Sequence, residues 1–244
     1  MLITSEETPT YFLADAGHYL ETKKRGFDGK ILILGPDHYG YVSRIQAAAK
    51  IVGLSKSDVI ITQAVRLISG GKEAKMSKRK GVFVTFGELV EDVSADAARF
   101  FFLMISPDTH MDFDIDLAKE KSLKNPVFYA QYAYVRALSI IKKAHIKKGK
   151  IDLSLLTTEE DTNLMLKLAE FPEILEDTAR DYAIHRVTRY VLELSKIFHN
   201  FYEVERVSGV PDNIARARLA LVAGAATVLK NALGVLGVST PKKM

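Results

Sequence analysis

A run of basic residues between glycines is the strongest chemical signal in this sequence. The run is Lys75-Met76-Ser77-Lys78-Arg79, and the glycines beside it are Gly70, Gly71 and Gly81. Glycine leaves a loop free to move, and phosphoryl and nucleotidyl transfer depend mainly on positive charge placed where negative charge develops. The pattern therefore predicts a loop that carries Lys75 and Lys78 to a polyphosphate. A solvated basic loop, or a basic targeting patch, has the same composition and is the alternative.

An α/β fold is predicted to position this loop. Ile31-Leu32-Ile33-Leu34 is a short apolar run that ends at Gly35-Pro36, as expected of a buried parallel strand, and residues 59–62 form a second run. Residues 108–116 are acidic and are predicted to form a turn. The helical segments predicted here cover residues 8–24, residues 41–51 and a stretch that follows Ser94 as its N-cap. The alternation predicts a doubly wound α/β domain over residues 1–118.

The second half of the chain is predicted to be entirely helical. No convincing strand signal follows residue 117, and apolar positions recur at helical spacing. Asn125-Pro126 starts the first predicted helix and Pro211 starts the last. The predicted helices cover residues 126–146, 159–170, 179–204 and 211–234. Residues 119–244 are therefore predicted to form a helix bundle.

Two neighbouring segments of this bundle carry opposite charge. Residues 119–150 contain nine Lys or Arg and one acid, whereas residues 152–181 contain nine acids and two bases. One interpretation is two helices with complementary solvated faces. The other is a basic helix that faces a polyanion while the acidic segment faces away.

Composition restricts the class of protein. The chain has 244 residues, no cysteine and a net charge of +4. The absence of cysteine excludes disulfides, thiolate metal sites and a cysteine nucleophile, and it fits a reducing, cytoplasmic location. No membrane contact is predicted, because no apolar run reads as long enough to span a bilayer and the first residues do not resemble a signal peptide. No cluster of metal ligands is visible, so no dedicated metal site is predicted.

The lysine run resembles the Lys-Met-Ser-Lys-Ser loop of class I aminoacyl-tRNA synthetases, with Arg79 in place of the last serine. The wider sequence resembles the arginine-specific family of that class, from about Thr8 to Met244. Further matching stretches are 76–81, 84–85, 96–101, 107–110, 112–114, 125–126, 131–133 and 236–238. The resemblance implies the second half of a class I Rossmann-type catalytic domain over residues 1–118. It implies an α-helical bundle that binds the anticodon over residues 119–244.

The resemblance also implies roles for residues of the first half. Tyr11 and Asp15 are four residues apart and share a helical face. The resemblance implies that they hold the guanidinium of the substrate L-arginine, which a carboxylate can accept. Without the resemblance, such a pair reads as an ordinary surface contact. The Gly35-Pro36-Asp37-His38 stretch follows a strand, where open α/β sheets bind ligands. The implied catalytic residues are Lys75 and Lys78, the implied arginine ligands are Tyr11, Asp15 and His38, and the implied ATP ligands are Gly35, Asp37, Met76 and Ser77.

Aromatic and basic residues share one predicted helix in the second half. Tyrosines beside cations can stack on unpaired bases while the cations neutralise phosphates. The alternative is that the tyrosines pack in the core. The resemblance implies that this helix and the last residue recognise the anticodon of arginine tRNA, tRNA(Arg). The implied tRNA ligands are Tyr129, Gln131, Tyr132, Arg136 and Met244.

One signature of the family is missing from the sequence. The His-x-Gly-His element that binds ATP in these enzymes does not occur. We therefore expect a fragment of a longer enzyme, or the product of a split gene with a separate N-terminal partner, with Met244 as the native end. Alone it should not make arginyl-adenylate from arginine, ATP and the accompanying Mg²⁺. The rival hypothesis is a non-catalytic tRNA-binding module or paralogue.

Overall fold

The computed structural model describes residues 2–73, 85–147 and 149–244, and the chain divides into two compact units. Unit 1 comprises Met1–Arg66 and Pro107–Asp112. Unit 2 comprises Leu67–Ser106 and Phe113–Met244. The predicted phosphate loop, with Lys75, Met76, Ser77 and Lys78, lies outside the described residues.

Unit 1 is built on a parallel pair of strands. Its elements are α1 (Tyr11–Lys24), β1 (Gly29–Leu34), a 3₁₀ helix (Pro36–Tyr41), α2 (Val42–Ile51) and β2 (Lys56–Ile61). Strand β1 pairs with β2 in parallel, with Leu34 opposite Ile61. Tyr19 from α1 and Ile45 from α2 are buried against the sheet residues Leu32 and Val59. The two apolar runs therefore form parallel strands, as predicted, but β1 is not buried as expected: Ile31 and Ile33 are 50% and 65% exposed.

Helix α1 starts later than the sequence suggested. The Oγ1 atom of Thr10 accepts a hydrogen bond from the Leu13 backbone N–H, so Thr10, not Thr8, is the N-cap. The preceding residues form a tight turn instead, closed by a backbone hydrogen bond of 2.8 Å from Thr4 to Thr8. Threonine is a good N-cap residue at either position, so the local sequence did not show whether Thr8 or Thr10 caps the helix.

A second sheet has the strand order β4-β3-β5, where β3 is Val65–Ser69, β4 is Lys72–Glu73 and β5 is Met111–Asp114. Strands β3 and β4 are antiparallel, and Ser69 pairs with Lys72. Gly70 and Gly71 form the turn between them, both with positive φ, a backbone conformation typical of a two-residue hairpin loop. These glycines, predicted to let the lysine loop move, thus close a hairpin.

The acidic stretch predicted as a turn also forms regular structure. Buried and exposed side chains alternate along β5: Met111 and Phe113 are buried, whereas Asp112 and Asp114 are exposed. This is the period-two pattern of a strand with one covered face. Asp114 then caps the short helix α5 (Ile115–Lys119) by accepting a hydrogen bond of 2.9 Å from the Leu117 N–H. The turn prediction for residues 108–116 was therefore wrong over most of its length.

Outside the strands of the second sheet, the described part of unit 2 is helical. Its remaining elements are α3 (Phe86–Val93), α4 (Ala95–Met104), α6 (Pro126–Lys143), a 3₁₀ helix (Leu153–Leu155), α7 (Glu159–Ala169), α8 (Phe171–Asp181), α9 (His185–Val204) and α10 (Asp212–Val235). Ser94 caps α4 and Asn125 caps α6 through their side chains, as predicted. The predicted helix over 179–204 is two helices, separated at Tyr182, which adopts a left-handed conformation with φ 60°.

The core of unit 2 lies between the helices α6, α7, α9 and α10. On α9 the buried side chains recur at helical spacing and include Val187, Leu194 and Phe198. Helix α10 packs against α6, α7 and α9, and α4 packs against α6 and α9. Helices α3 and α4 thus cluster with the bundle, although they lie within residues 1–118. The division into domains 1–118 and 119–244 remains a proposal.

Helix α10 is long and apolar enough to cross a membrane by length and composition alone. Its most apolar window has a mean hydropathy of 1.3, and 44% of that window is buried inside the structure. The sequence prediction concerned uninterrupted apolar runs, and Arg216, Arg218 and Lys230 interrupt this helix. Because α10 packs on three helices of the bundle, its apolar character also fits a core helix.

An ion network is buried beside α10. The side chain of Arg218 is only 9% exposed, and its Nη2 lies 2.5 Å from Glu205 Oε2 while its Nε lies 3.4 Å from Asp161 Oδ1. Its Nη1 also donates to the backbone oxygen of Arg206 at 3.0 Å. Asp161 has no exposed surface. This network ties α10 to α7 and to the turn that follows α9.

Candidate functional sites

An open cleft in unit 1 collects the predicted arginine-binding residues. Helix α1 and the 3₁₀ helix after β1 form its walls, and its volume is about 1090 Å³. Because β1 runs directly into the 3₁₀ helix, the cleft sits at the carboxyl end of a parallel strand, where α/β sheets bind ligands. The lining residues include Tyr11, Phe12, Asp15, Asp37, His38, Tyr41 and Arg44.

Asp15 is held in place inside this cleft. The hydroxyl of Tyr41 donates a hydrogen bond of 2.8 Å to Asp15 Oδ2. Burial, together with this bond to a carboxylate, raises the pKa of Tyr41 to about 12, so the phenol keeps its proton and remains a donor. Phe12 packs edge-on against the Tyr41 ring at 6.0 Å. One oxygen of Asp15 is thus oriented by the protein while the carboxylate faces the cleft.

The structure places the other predicted residues of unit 1 around the same cleft. Tyr11 is 93% exposed, so its ring projects from α1 without packing. Asp37 and His38 are also exposed, with His38 Nε2 lying 3.6 Å from Asp37 Oδ2. At Gly35 a Cβ atom would lie 2.9 Å from Asp37 Oδ1, so a side chain there would displace this carboxylate.

Tyr41 and Arg44 are cleft residues that the sequence did not single out. Tyr41 is 26 positions from Asp15, and no local pattern links the two. The only available signal was that Tyr41 follows the Gly35-Pro36-Asp37-His38 stretch by three residues. Arg44 lies one turn further along, on α2.

In unit 2, a histidine packs against both predicted tRNA-binding tyrosines. The ring of His199, on α9, is stacked on Tyr132 with centroids 5.6 Å apart and rings inclined by 24°. It also contacts Tyr129, with centroids 5.0 Å apart. Burial lowers the pKa of His199, which favours the neutral ring. Both tyrosines remain partly exposed. Each tyrosine ring therefore packs against His199 on one side and keeps part of its surface accessible to solvent.

Arg136 lies one turn after Tyr132, in a second cleft. Its guanidinium lies over the ring of Tyr202 at 4.3 Å and donates a hydrogen bond of 2.6 Å to the Tyr202 hydroxyl. The cleft has a volume of about 460 Å³ and is also lined by Lys143 and Arg206. Tyr202 was not predicted, although its place on α9 three residues after His199 puts both on one helix face.

Gln131 faces the opposite way. It is only 9% exposed, and its Nε2 donates hydrogen bonds of 2.9 Å to Asp96 Oδ2 and to the Ser239 backbone oxygen. A side chain with its amide engaged in this way is not presented to a base. Met244 is 49% exposed. The structure thus brings Tyr129, Tyr132 and Arg136 to one surface and places Gln131 beneath it.

The oppositely charged segments are not paired with each other. Within the described part of the chain, no ion pair joins residues 119–150 to residues 152–181. Lys167, a base within the acidic segment, pairs instead with Glu170 of the same segment and with Glu193 on α9, at 2.8 and 2.7 Å. Lys142 and Lys143 are exposed at the end of α6. This favours a basic face that is available to an anion over two complementary faces.

Comparison with known proteins shows which families and enzymes the chain resembles. Residues 130–244 match the DALR anticodon binding domain family. The whole chain is 45% identical to an arginine–tRNA ligase of Caldanaerobacter subterraneus and 46% identical to one of Symbiobacterium thermophilum. It spans 45% of the length of each of these relatives, which fits the predicted C-terminal portion.

A solved structure extends the likeness to the fold. The arginyl-tRNA synthetase of Thermus thermophilus aligns over 100% of this chain and 50% of its own chain, with a TM-score of 0.77 at 22% sequence identity. This fold likeness covers both units, and the identity to the two ligases extends over the full chain. The chain is therefore similar over its whole length to part of the arginine–tRNA ligases, and its residues 130–244 match the DALR anticodon binding domain.

Proposed function

We propose that this chain is the part of an arginine–tRNA ligase that binds arginine and reads the anticodon of tRNA(Arg). In the reaction, an arginine carboxylate oxygen attacks the α-phosphorus of ATP and the bond to pyrophosphate breaks, which gives arginyl-adenylate. A ribose hydroxyl at the end of the tRNA then attacks the carbonyl carbon, and AMP leaves. In this reaction the chain is proposed to act as the C-terminal part of the enzyme. The remaining part of the catalytic site comes from polypeptide that the chain does not contain.

Unit 1 is proposed as the second half of a class I Rossmann-type catalytic domain. The parallel pairing of β1 with β2, connected through α2, supports this, because such crossovers are the building unit of doubly wound sheets. The position of the open cleft at the end of β1 supports it as well.

The cleft of unit 1 is proposed to select arginine through Asp15. A carboxylate accepts two N–H bonds from the planar guanidinium fork, and the Tyr41 hydroxyl keeps one of its oxygens oriented. Tyr11 would cover the guanidinium with its free ring, since cations bind the faces of aromatic rings. His38 lies on the opposite wall of the cleft and would contact the reacting end of the amino acid.

The ATP side is proposed to lie at Gly35 and Asp37. The absence of a side chain at Gly35 leaves Asp37 room to turn toward a ribose, for which a carboxylate is a hydrogen-bond acceptor. Lys75 and Lys78, with Met76 and Ser77, would contact the phosphates from the loop outside the described residues. Mg²⁺ would arrive with ATP, whose phosphate oxygens are its preferred ligands.

The surface of α6 and α9 is proposed to bind the anticodon loop. The observation that carries this proposal is the pair of partly exposed tyrosines packed against His199, which lie beside Arg136 at the start of the DALR match. Unpaired bases stack on such rings, and the exposed cations meet the phosphates. Gln131 takes part indirectly, and Met244 remains a proposed contact.

Replacing Tyr132 with alanine should weaken binding of tRNA(Arg) by about 1–3 kcal/mol, because a stacking surface is lost. Filter binding with tRNA(Arg) and with a non-cognate tRNA measures this, and the loss should fall on the cognate tRNA. The control is Leu164→Ala on α7, which opens a cavity in the core of the same unit at a fully buried position. If both variants melt early and lose affinity equally, Tyr132 only packs.

Neutralising Lys142 and Lys143 should weaken binding of all tRNAs alike. Each phosphate contact contributes released counterions, so the slope of log Kd against log salt should flatten by about 1 for each lost contact. The alternative is that these lysines only complement the carboxyl end of α6, whose last turn they occupy. In that case the double variant would melt at a lower temperature with an unchanged salt slope.

The rival function is a tRNA-binding module without any catalytic role. Such a module has no use for an arginine cleft. Binding of free L-arginine by the chain therefore discriminates the two, whereas tRNA binding alone does not.

A further inference from the structure

The last nine residues, 236–244, form what we call the terminal segment, which begins in the core of unit 2 and ends in solvent. Leu236 and Val238 are buried, with 1% and 4% of their surface exposed. Lys242, Lys243 and Met244 are exposed. The apolar residues thus anchor the start of the segment, and the basic end lies beyond that anchor.

A polar cluster holds the segment between these two parts. The carboxylate of Asp96, on α4, accepts a hydrogen bond of 2.9 Å from the Ser239 backbone N–H and one from the Ser239 hydroxyl. The amide of Gln131, on α6, donates both to Asp96 and to the Ser239 backbone oxygen, each at 2.9 Å. Three donors therefore converge on one carboxylate, and Ser239 is held through its backbone and its side chain.

Arg99 adds a contact on the same face of α4. Asp96 and Arg99 are three residues apart on this helix, and at Gly237 a Cβ atom would lie 2.7 Å from the Arg99 guanidinium. Gly237 also has a positive φ of 66°. The segment is thus fitted to α4 at a position whose left-handed backbone favours glycine.

Burial of Leu236 and Val238 is enough to anchor the apolar start of the segment. It does not explain why Ser239, which is itself exposed, is fixed by bonds from α4 and α6. Fixing an exposed chain costs conformational entropy. That cost is recovered when a ligand binds groups that are already in place. The exposed groups that follow Ser239 are two lysines, whose ligands are anions.

We propose that Asp96 and Gln131 are positioning residues for tRNA binding. They hold the terminal segment so that Lys242 and Lys243 form a phosphate-binding contact of the same domain, separate from Tyr132 and its neighbours. The inference rests on the proposed function and adds to it the role of the cluster and of the two lysines. Neither Asp96 nor Gln131 touches the tRNA in this arrangement.

The test is the tRNA(Arg) affinity of the whole chain carrying Asp96→Asn. An amide nitrogen at either oxygen position meets another donor, so the cluster opens. We expect affinity to fall about tenfold, because the terminal segment is no longer held in the conformation that presents the two lysines. The sign is informative, because removing a negative charge near a polyanion site otherwise strengthens binding. The matched control is Asp92→Asn on α3, whose carboxylate pairs with Lys119 and which should bind tRNA no more weakly than wild type.

A second measurement separates positioning from general stability. In a chain already carrying Lys242→Gln and Lys243→Gln, adding Asp96→Asn should change affinity by less than about twofold, since both changes act through the same residues. A further tenfold loss in that background would overturn the inference. If Asp96→Asn does not fold, Ser239→Ala takes its place in both backgrounds, with an expected loss of about threefold.

The possible failures are distinguishable. A wild-type chain that binds no tRNA overturns the proposed function, and this inference with it. A wild-type chain that binds tRNA(Arg) while Asp96→Asn binds equally well overturns this inference alone.

Discussion

Replacing Arg218 with alanine should lower the free energy of unfolding of unit 2 by about 3–5 kcal/mol, because it leaves buried carboxylates without their cation. Asp161 is fully buried and the Glu205 side chain is 12% exposed, so neither can be solvated without a rearrangement. Asp161 Oδ1 also has no hydrogen-bond partner, so Arg218 is its compensating charge. Urea denaturation followed by circular dichroism measures the change.

Arg216→Ala is the matched control for this experiment. It removes the same side chain from the same helix, but Arg216 only donates hydrogen bonds to the backbone oxygens of Lys147 and Lys150 near the surface. We expect it to cost no more than about 1 kcal/mol. Equal destabilisation by the two variants would show that the buried network contributes nothing beyond an ordinary surface arginine.

Replacing Asp15 with asparagine should weaken arginine binding by about 2 kcal/mol, which is roughly 30-fold in Kd. The amide keeps the shape of the side chain but loses the charge that a guanidinium requires. Titration calorimetry with L-arginine measures the loss. L-citrulline, in which a neutral urea group replaces the guanidinium, should bind both forms weakly and with similar affinity.

Asp37→Asn provides a matched control in the same cleft. Its carboxylate is exposed and is assigned to the ATP side, so its loss should leave arginine affinity within about 0.5 kcal/mol of wild type. If Asp15→Asn and Asp37→Asn reduce affinity equally, the cleft attracts arginine by general negative charge. If neither does, Asp15 is an ordinary surface carboxylate.

Features that depend on neighbouring residues were predictable from the sequence. Ser94 and Asn125 cap the helices that follow them, because a cap needs only its own side chain and the next turn of backbone. The apolar run 31–34 forms a strand for a similar reason. Helix α8 and strand β5 were missed, since acidic residues masked the apolar periodicity that only packing makes plain.

The candidate sites show the same division. Tyr11 and Asp15 share a helix face by spacing alone, and the sequence was enough to pair them. The sequence was not enough to show that Asp15 is held in one orientation, because its partner Tyr41 comes from another element. The roles of these residues stay predictions until arginine binding is measured.

The sequence by itself indicated the family resemblance, most of the helices, the caps Ser94 and Asn125, and the residue types available for chemistry. These follow from composition, periodicity and short motifs, all of which are local. The tertiary structure alone decided which way each side chain of α6 faces: Tyr132 toward His199 and solvent, Gln131 toward Asp96 and Ser239. The two are adjacent in sequence, and a helix rotates successive side chains by about 100°. Partners more than 60 residues away on α9 and 108 residues away at Ser239 therefore settled which residue meets a ligand and which holds the fold.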